Sequence, residues 1–126
     1  MTRASRSARE VVELYNHVVW GGQRDFALAD ELMGNTVIRH EVGEAVVQTH
    51  GEAVKRIVDS LAMFEEMSFN LKVVVDDGEY VAVVYESPMR FTNGTDTTVS
   101  SIEVFRVVDG RITEVWNSDY KQGTWH

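Results

Sequence analysis

The amino-acid sequence predicts an α+β domain in which a curved antiparallel sheet wraps around three N-terminal helices. In the first half of the chain apolar residues recur at helical spacing, whereas the second half alternates apolar and polar residues between tight-turn signals. The chain has 126 residues, one domain's worth, and no linker or internal repeat divides it. Residues 1–126 are therefore expected to form a single domain.

Each of the three helices has a recognisable start signal. Ser7–Glu10 matches a capping box, and the helix behind it is expected to end near Trp20, before two glycines. Asp25 is the expected cap of a shorter second helix, which Gly34-Asn35 ends. Thr49–Glu52 is a second capping box and opens the third helix.

The strands are predicted from β-branched composition, alternation and turns. Thr36–Val42 is too short and too β-branched for a helix and is expected to be a strand between the second and third helices. Four long strands follow, separated by Asp-Gly and Asn-Gly turns. They are Phe69–Asp76, Tyr80–Met89, Thr97–Val108 and Arg111–Tyr120.

Composition excludes several classes of function. The net charge of −8 is spread along the chain, which argues against binding to nucleic acid or to an anionic membrane surface. No apolar stretch is long enough to span a membrane, and the absence of cysteine excludes a thiol nucleophile, a disulfide and a thiolate metal site. A cytoplasmic location is expected.

The order of elements and several sequence segments resemble one known superfamily. It contains nuclear transport factor 2, ketosteroid isomerases, limonene epoxide hydrolase, scytalone dehydratase and the SnoaL-like polyketide cyclases. The resemblance implies a cone-shaped α+β barrel with an apolar pocket at its wide end; the reaction stays open, because such folds host many chemistries. The segments that carry it are Val12–Trp20 with Asp25–Leu28, Thr36–Gly43, Gly51–Val54, Ile102–Arg106 and Asp109–Asn117.

Four positions correspond to functional residues of these relatives. His40 stands two residues before Val42-Gly43, where ketosteroid isomerases carry their general-base aspartate. Glu103 stands at the position of their proton-donating aspartate, and their hydroxyl donor falls near His17 or Tyr15. Asp119 lies near the last-strand aspartate of limonene epoxide hydrolase, although no arginine is expected to face inward beside it.

Strand alternation gives an independent prediction of the inward face. Residues of one parity around Glu103, and those around Asn117, are expected to line the pocket together with side chains from the helices and the neighbouring strand. The predicted catalytic residues are His40, Glu103 and Asp119. The predicted substrate-binding residues are Tyr15, His17, Trp20, Phe64, Glu86, Arg90, Phe105, Val115 and Asn117.

These residues support acid–base chemistry without a cofactor. His40 would act as the general base, because histidine titrates near neutrality. Glu103 would either stay protonated and donate to an oxyanion, or stay ionised and orient His40. Asp119 and Asn117 would position substrate or water. No metal-ligand spacing, phosphate-binding loop or nucleophile elbow occurs, so neither a metal nor another cofactor is implied.

The leading hypothesis is an isomerase, cyclase or dehydratase that acts on a small hydrophobic metabolite. The alternatives are a non-catalytic module that binds a hydrophobic ligand, a protein-interaction domain working through its sheet, and an epoxide-hydrolase-like hydrolase. Ile102, Val104, Ile112 and Trp116 are expected on the outer face of the sheet. Such an apolar patch predicts a homodimer formed through the sheets.

Overall fold

The N-terminal helices begin where the sequence predicts. The computed structural model describes residues 6–126, and in it α1 (Ala8–Leu14) is preceded by the predicted capping box. The backbone N–H of Glu10 donates to Ser7 Oγ at 3.1 Å, and the N–H of Ser7 donates to the Glu10 carboxylate at 3.1 Å. The chain continues as a π-helical segment (Tyr15–Trp20), and the short α2 (Phe26–Leu32) follows.

The two later helix caps are also confirmed. Asp25 accepts a hydrogen bond from the N–H of Leu28 at 2.9 Å at the start of α2. Thr49 and Glu52 form the reciprocal bonds of a capping box at the start of α3 (His50–Leu61). Each cap accepts hydrogen bonds from backbone N–H groups that have no partner within the helix. Because this task requires particular residue types, the starts of these helices can be predicted from the sequence.

In the part of the chain that the structure describes, eight strands form one curved, mostly antiparallel sheet that does not close on itself. The path of the sheet is β2-β1-β7-β6-β5-β3, with β4 also pairing with β5 and β8 pairing with β6. Among these strands only β1 and β7 pair in parallel. The strands are β1 (Met33–Glu41), β2 (Glu44–Thr49), β3 (Phe64–Met67), β4 (Asn70–Asp76), β5 (Tyr80–Phe91), β6 (Asp96–Val108), β7 (Arg111–Asn117) and β8 (Lys121–Gln122).

The strands β2, β3 and β8 were not predicted, and each of them is short or exposed. β2 pairs with β1 through a tight turn at Gly43, whose φ of +87° favours glycine. Its residues are nearly all exposed, so no apolar alternation marks it. β3 is only four residues long and begins at Phe64, directly after the third helix and its turn. β1 also begins three residues earlier than expected, at Met33.

The core lies between the helices and the concave face of the sheet. Apolar side chains of α1, α2 and α3 pack against alternate residues of β5, β6 and β7, including Val83, Phe105 and Val115. Phe105 is fully buried and contacts Tyr15 edge-on, with ring centroids 5.5 Å apart. Among residues 6–126, no helix is long and apolar enough to cross a membrane.

The predicted outer apolar patch needs one correction. Ile112 is fully buried in the core rather than exposed on the outer face. In the β6–β7 ladder Arg106 pairs with Glu114 and Val107 pairs with Ile112, so Thr113 is an extra residue, a β-bulge. The bulge turns Ile112 to the same side of the sheet as Val115. The wrong expectation for Ile112 came from carrying the alternation through this bulge. The predicted homodimer stays a prediction.

Candidate functional site

A cavity of about 330 Å³ lies between the helices and the concave side of the sheet. A volume of this order accommodates a small organic molecule. Its walls consist of aromatic rings, methionines and a few polar groups. They are formed by Tyr15, Asn16, Trp20, Arg39, Arg56, Ser60, Met63, Phe64, Met67, Phe69, Tyr85, Ser87, Met89, Phe91, Val99, Glu103 and Tyr120.

The π-helical segment supplies one wall of the cavity. Tyr15, Asn16 and Trp20 all line it, which requires residues four and five apart to share a face. The wider turn of a π-helix, with bonds from residue i to i+5, produces this arrangement. Tyr15 and Trp20 meet edge-on with ring centroids 6.2 Å apart, and the Asn16 side-chain amide donates to the carbonyl of Val12 at 3.1 Å.

Glu103 on β6 is the acidic residue of the cavity wall. It is 8% exposed, and β6 places it opposite Asn117 on one side and Val83 on the other. Desolvation on burial raises the pKa of Glu103, although hydrogen bonding from Tyr85, the charges of Arg39 and Arg56, and hydrogen bonding from Asn117 oppose the rise. A carboxyl group in this setting is poised to exchange a proton closer to neutrality than a free glutamate does.

Two tyrosine hydroxyls lie near this carboxyl. Burial and the charge of Glu103 raise the pKa of both Tyr85 and Tyr120, so both phenols stay protonated at neutral pH. The Asn117 side-chain amide donates to the Tyr120 hydroxyl at 2.8 Å. Because that bond uses the oxygen as an acceptor, the Tyr120 O–H proton is free to be donated to a bound molecule.

Two arginines bring positive charge to the same cavity. Arg39 on β1 is 8% exposed, and Arg56 on α3 lies over the Trp20 ring with its guanidinium carbon 5.9 Å from the ring centroid. Neither arginine forms an ion pair within residues 6–126. Both are nevertheless near enough to Glu103 to act on its pKa.

Four predicted site residues line the cavity: Tyr15, Trp20, Phe64 and Glu103. Asn117 is not part of the wall but contacts two groups that are, Glu103 and Tyr120. Phe105 and Val115 pair with each other across β6 and β7 and belong to the core beneath the cavity. Their inward orientation agrees with the predicted parity, although neither forms part of the cavity wall.

The expectation that His40 faces the cavity is wrong. His40 lies on the outer face of the sheet, where its Nε2 is 2.7 Å from Glu114 Oε2 and its ring stacks on Trp116 at 4.7 Å between centroids. The adjacent Arg39 is the residue of β1 that faces inward. Successive side chains of a strand point to opposite faces of the sheet. The position two residues before Val42-Gly43 therefore lies on the outer face, and the position before it lies on the cavity side.

Four further expected site residues lie elsewhere. His17 is exposed on the π-helical segment, and Asp119 is exposed because β7 ends at Asn117, so strand parity no longer applies to it. Glu86 is buried outside the cavity, where it accepts a hydrogen bond from the N–H of Trp125 at 2.9 Å. Arg90 is paired with Asp96 at 2.7 Å beside a separate open cleft.

The polar groups of the site that the sequence did not predict include Arg39, Arg56, Tyr85 and Tyr120. Tyr85 had a usable signal, since Val81, Val83 and Tyr85 alternate along β5 and share a buried face. Arg39 had a weaker one, because it shares parity with the buried Val37. Arg56 and Tyr120 reach the cavity from a helix and from the segment after β7, for which strand parity says nothing.

The fold and cavity define a class of small α+β domains that enclose a ligand-sized space between helices and a curved sheet. The family model for the SnoaL-like domain matches residues 9–115, so the chain belongs to the SnoaL-like family, within the superfamily that the sequence had indicated. No curated protein matches the chain. Within residues 6–126 there is no group of three or more histidine or acidic side chains placed to hold a metal ion.

Solved structures share this fold at low sequence identity. A SnoaL-like polyketide cyclase from Agrobacterium tumefaciens is 12% identical, with a TM-score of 0.74 and coverage of 92% of each chain. IdmH from Streptomyces antibioticus is 18% identical, with a TM-score of 0.72 and coverage of 90% of this chain and 91% of its own. An LEH-like epoxide hydrolase from M. tuberculosis is 19% identical, with a TM-score of 0.70 and coverage of 94% and 83%. At these identities the likeness defines the fold.

Proposed function

We propose that the protein is a cofactor-independent enzyme that transfers a proton on a hydrophobic carbonyl compound bound in the cavity, as an isomerase, cyclase or dehydratase does. One observation carries the proposal. Glu103 is the single carboxylate among the described residues that line the cavity, and burial raises its pKa. General acid–base groups work best when their pKa lies near the working pH.

The proton would move between substrate carbon and Glu103. The ionised carboxylate takes a proton from the carbon next to the carbonyl, and the electron pair shifts to the carbonyl oxygen to give an enolate. The Tyr120 hydroxyl, which Asn117 leaves free to donate, is the proposed donor to that oxygen. Glu103 then returns the proton to carbon or to a leaving oxygen, according to the reaction.

The aromatic wall would hold the body of the substrate. Trp20, Phe64, Phe69 and Phe91 present ring faces and edges to the cavity, and Phe64 and Phe91 pack 4.8 Å apart between centroids. Such rings favour flat, apolar molecules and keep water away from the carboxylate. The polyketide cyclases among the structural neighbours are consistent with a polycyclic substrate.

The proposal is tested by carbon-proton exchange, which requires no knowledge of the natural substrate. 2-Tetralone, a flat bicyclic ketone, is incubated in D₂O with the protein, and loss of its α-proton signals is followed by ¹H NMR. The wild type should accelerate exchange above the buffer rate. Glu103→Gln should lose at least 100-fold of that acceleration, since a positioned base contributes about 10²–10⁴-fold. Glu44→Gln, the same change at an exposed position of β2, should retain it.

The possible outcomes separate the proposal from its alternative. Equal exchange by the wild type and by Glu103→Gln, or exchange at the buffer rate with 2-tetralone bound, would contradict the proposed proton transfer. The second result would instead support the non-catalytic binding module. A shift in the melting temperature on addition of 2-tetralone establishes whether the ketone is bound.

A second candidate function is epoxide hydrolysis, and one observation favours it. Arg39 and Glu103 line the same cavity, so an arginine faces inward where none was expected. Glu103, with Asn117 beside it, would accept a proton from a water that attacks one epoxide carbon. The bond between that carbon and the ring oxygen would break, and the Tyr120 hydroxyl would donate a proton to the resulting alkoxide. Incubation of styrene oxide in H₂¹⁸O distinguishes the two candidates, because only hydrolysis yields a diol carrying the heavy oxygen.

A further inference from the structure

The cavity carries more positive than negative charge. Two arginine guanidinium groups, from Arg39 and Arg56, line it together with the single carboxylate of Glu103. Ion pairs neutralise many of the other charged side chains, such as Arg90 with Asp96 and Arg106 with Glu79. The protein as a whole is acidic, with a net charge of −8. This local excess therefore runs against the composition of the chain.

Arg39 is the more informative of the two residues. Its side chain is largely buried, yet within residues 6–126 it has no carboxylate at ion-pair distance. Its strand neighbours Ile38 and His40 face the other side of the sheet, so Arg39 alone among them projects to the cavity. A buried charge without a partner is costly, so an anionic ligand beside Arg39 would be stabilised by supplying the missing partner.

Arg56 on α3 adds a second guanidinium group to the cavity. α3 carries it, and its stacking over Trp20 restricts the long side chain to the cavity wall. An arginine on a strand and another on a helix therefore face the same space. Guanidinium groups match carboxylates in shape and form paired hydrogen bonds with them.

We propose that the natural ligand of the cavity carries a carboxylate, which Arg39 and Arg56 bind, on a flat apolar body that contacts the aromatic wall. This inference rests on the proposed function for the reaction that follows binding, and it names the substrate class of the same site. A carboxylate near Glu103 also explains why the cavity holds two arginines rather than one: the second cation offsets the repulsion between the two anions.

The test compares two molecules of the same size that differ in charge. 2-Naphthoate and 2-naphthamide share the bicyclic body, and calorimetry measures the affinity of each at pH 7. The wild type should bind 2-naphthoate at least tenfold more tightly than 2-naphthamide. The Arg39→Gln and Arg56→Gln double variant should lose that preference, whereas Arg90→Gln, a change at a surface ion pair, should keep it.

Binding of the amide shows whether the cavity of a variant is intact. If the double variant does not fold, Arg56→Gln alone, at a half-buried position, should reduce the preference at least threefold. Equal affinity of the wild type for the two molecules, or a preference unchanged in a folded double variant, overturns the inference. Neither measurement involves turnover, so the preference for the carboxylate survives if 2-tetralone exchange fails, and the exchange result stands if the preference is absent.

Discussion

Replacing Glu103 with glutamine should change how stability depends on pH. Because burial raises the pKa of Glu103 in the folded state, folding favours its protonated form. The contribution to stability is therefore complete below the unfolded pKa of about 4.3 and is lost as the pH rises through the higher folded pKa. Glutamine keeps the shape of the protonated acid and does not titrate. The stability of the variant relative to that of the wild type should therefore increase as the pH rises.

The magnitude follows from the free energy of proton binding. Each tenfold decrease in the acid dissociation constant of Glu103 on folding corresponds to about 1.4 kcal/mol of free energy of unfolding. For a domain of this size that is roughly 6 °C in the melting temperature, at about 4 °C per kcal/mol. The difference in melting temperature between Glu103→Gln and the wild type should thus widen as the pH rises from 4 to 8, by this amount for each such tenfold change.

Thermal unfolding followed by circular dichroism across this pH range provides the measurement. Glu44→Gln is the control, since exposed substitutions usually change stability by less than about 0.5 kcal/mol. A difference between Glu103→Gln and the wild type that is constant with pH would refute the reasoning. So would a wild type that gains stability on the variant as the pH rises.

Two further predictions concern the core and the outer face of the sheet. Phe105→Ala should reduce the free energy of unfolding by about 3–5 kcal/mol, because it removes a fully buried ring that contacts Tyr15; urea denaturation checks this, and a loss below 1 kcal/mol would contradict the packing described. His40→Ala should leave the affinity for 2-naphthoate within twofold of the wild type, because His40 interacts with Glu114 and Trp116 on the opposite side of the sheet from the cavity. A tenfold loss measured by calorimetry would place His40 back in the site.

The features that were predictable from sequence are those fixed by neighbours along the chain. The capping boxes at Ser7 and Thr49 depend on residues three positions apart, and both formed as expected. Alternation along β6 correctly placed Glu103 and Phe105 on the concave face. The superfamily was recognised because its segments span most of the chain, and the family match over residues 9–115 confirms that recognition.

The errors arose where one residue decides the direction of a side chain. Along β1 an apolar residue stands at both parities, Val37 and Ile38, so the pattern alone did not decide between Arg39 and His40. The resemblance to ketosteroid isomerases assigned the inward position to His40, whereas the structure has Arg39 in the cavity wall. The bulge at Thr113 likewise made the predicted direction of Ile112 wrong. A bulge depends on the pairing of β7 with β6, which the local sequence does not reveal.

The most direct test of the account is a crystal structure of the protein with 2-naphthoate bound. The account predicts the naphthalene rings against Phe64 and the other aromatic side chains of the cavity, with the carboxylate within hydrogen-bond distance of Arg39 or Arg56 and the ring system beside Glu103. Electron density for 2-naphthoate only on the outer face of the sheet, with the two arginines making no contact to it, would contradict it.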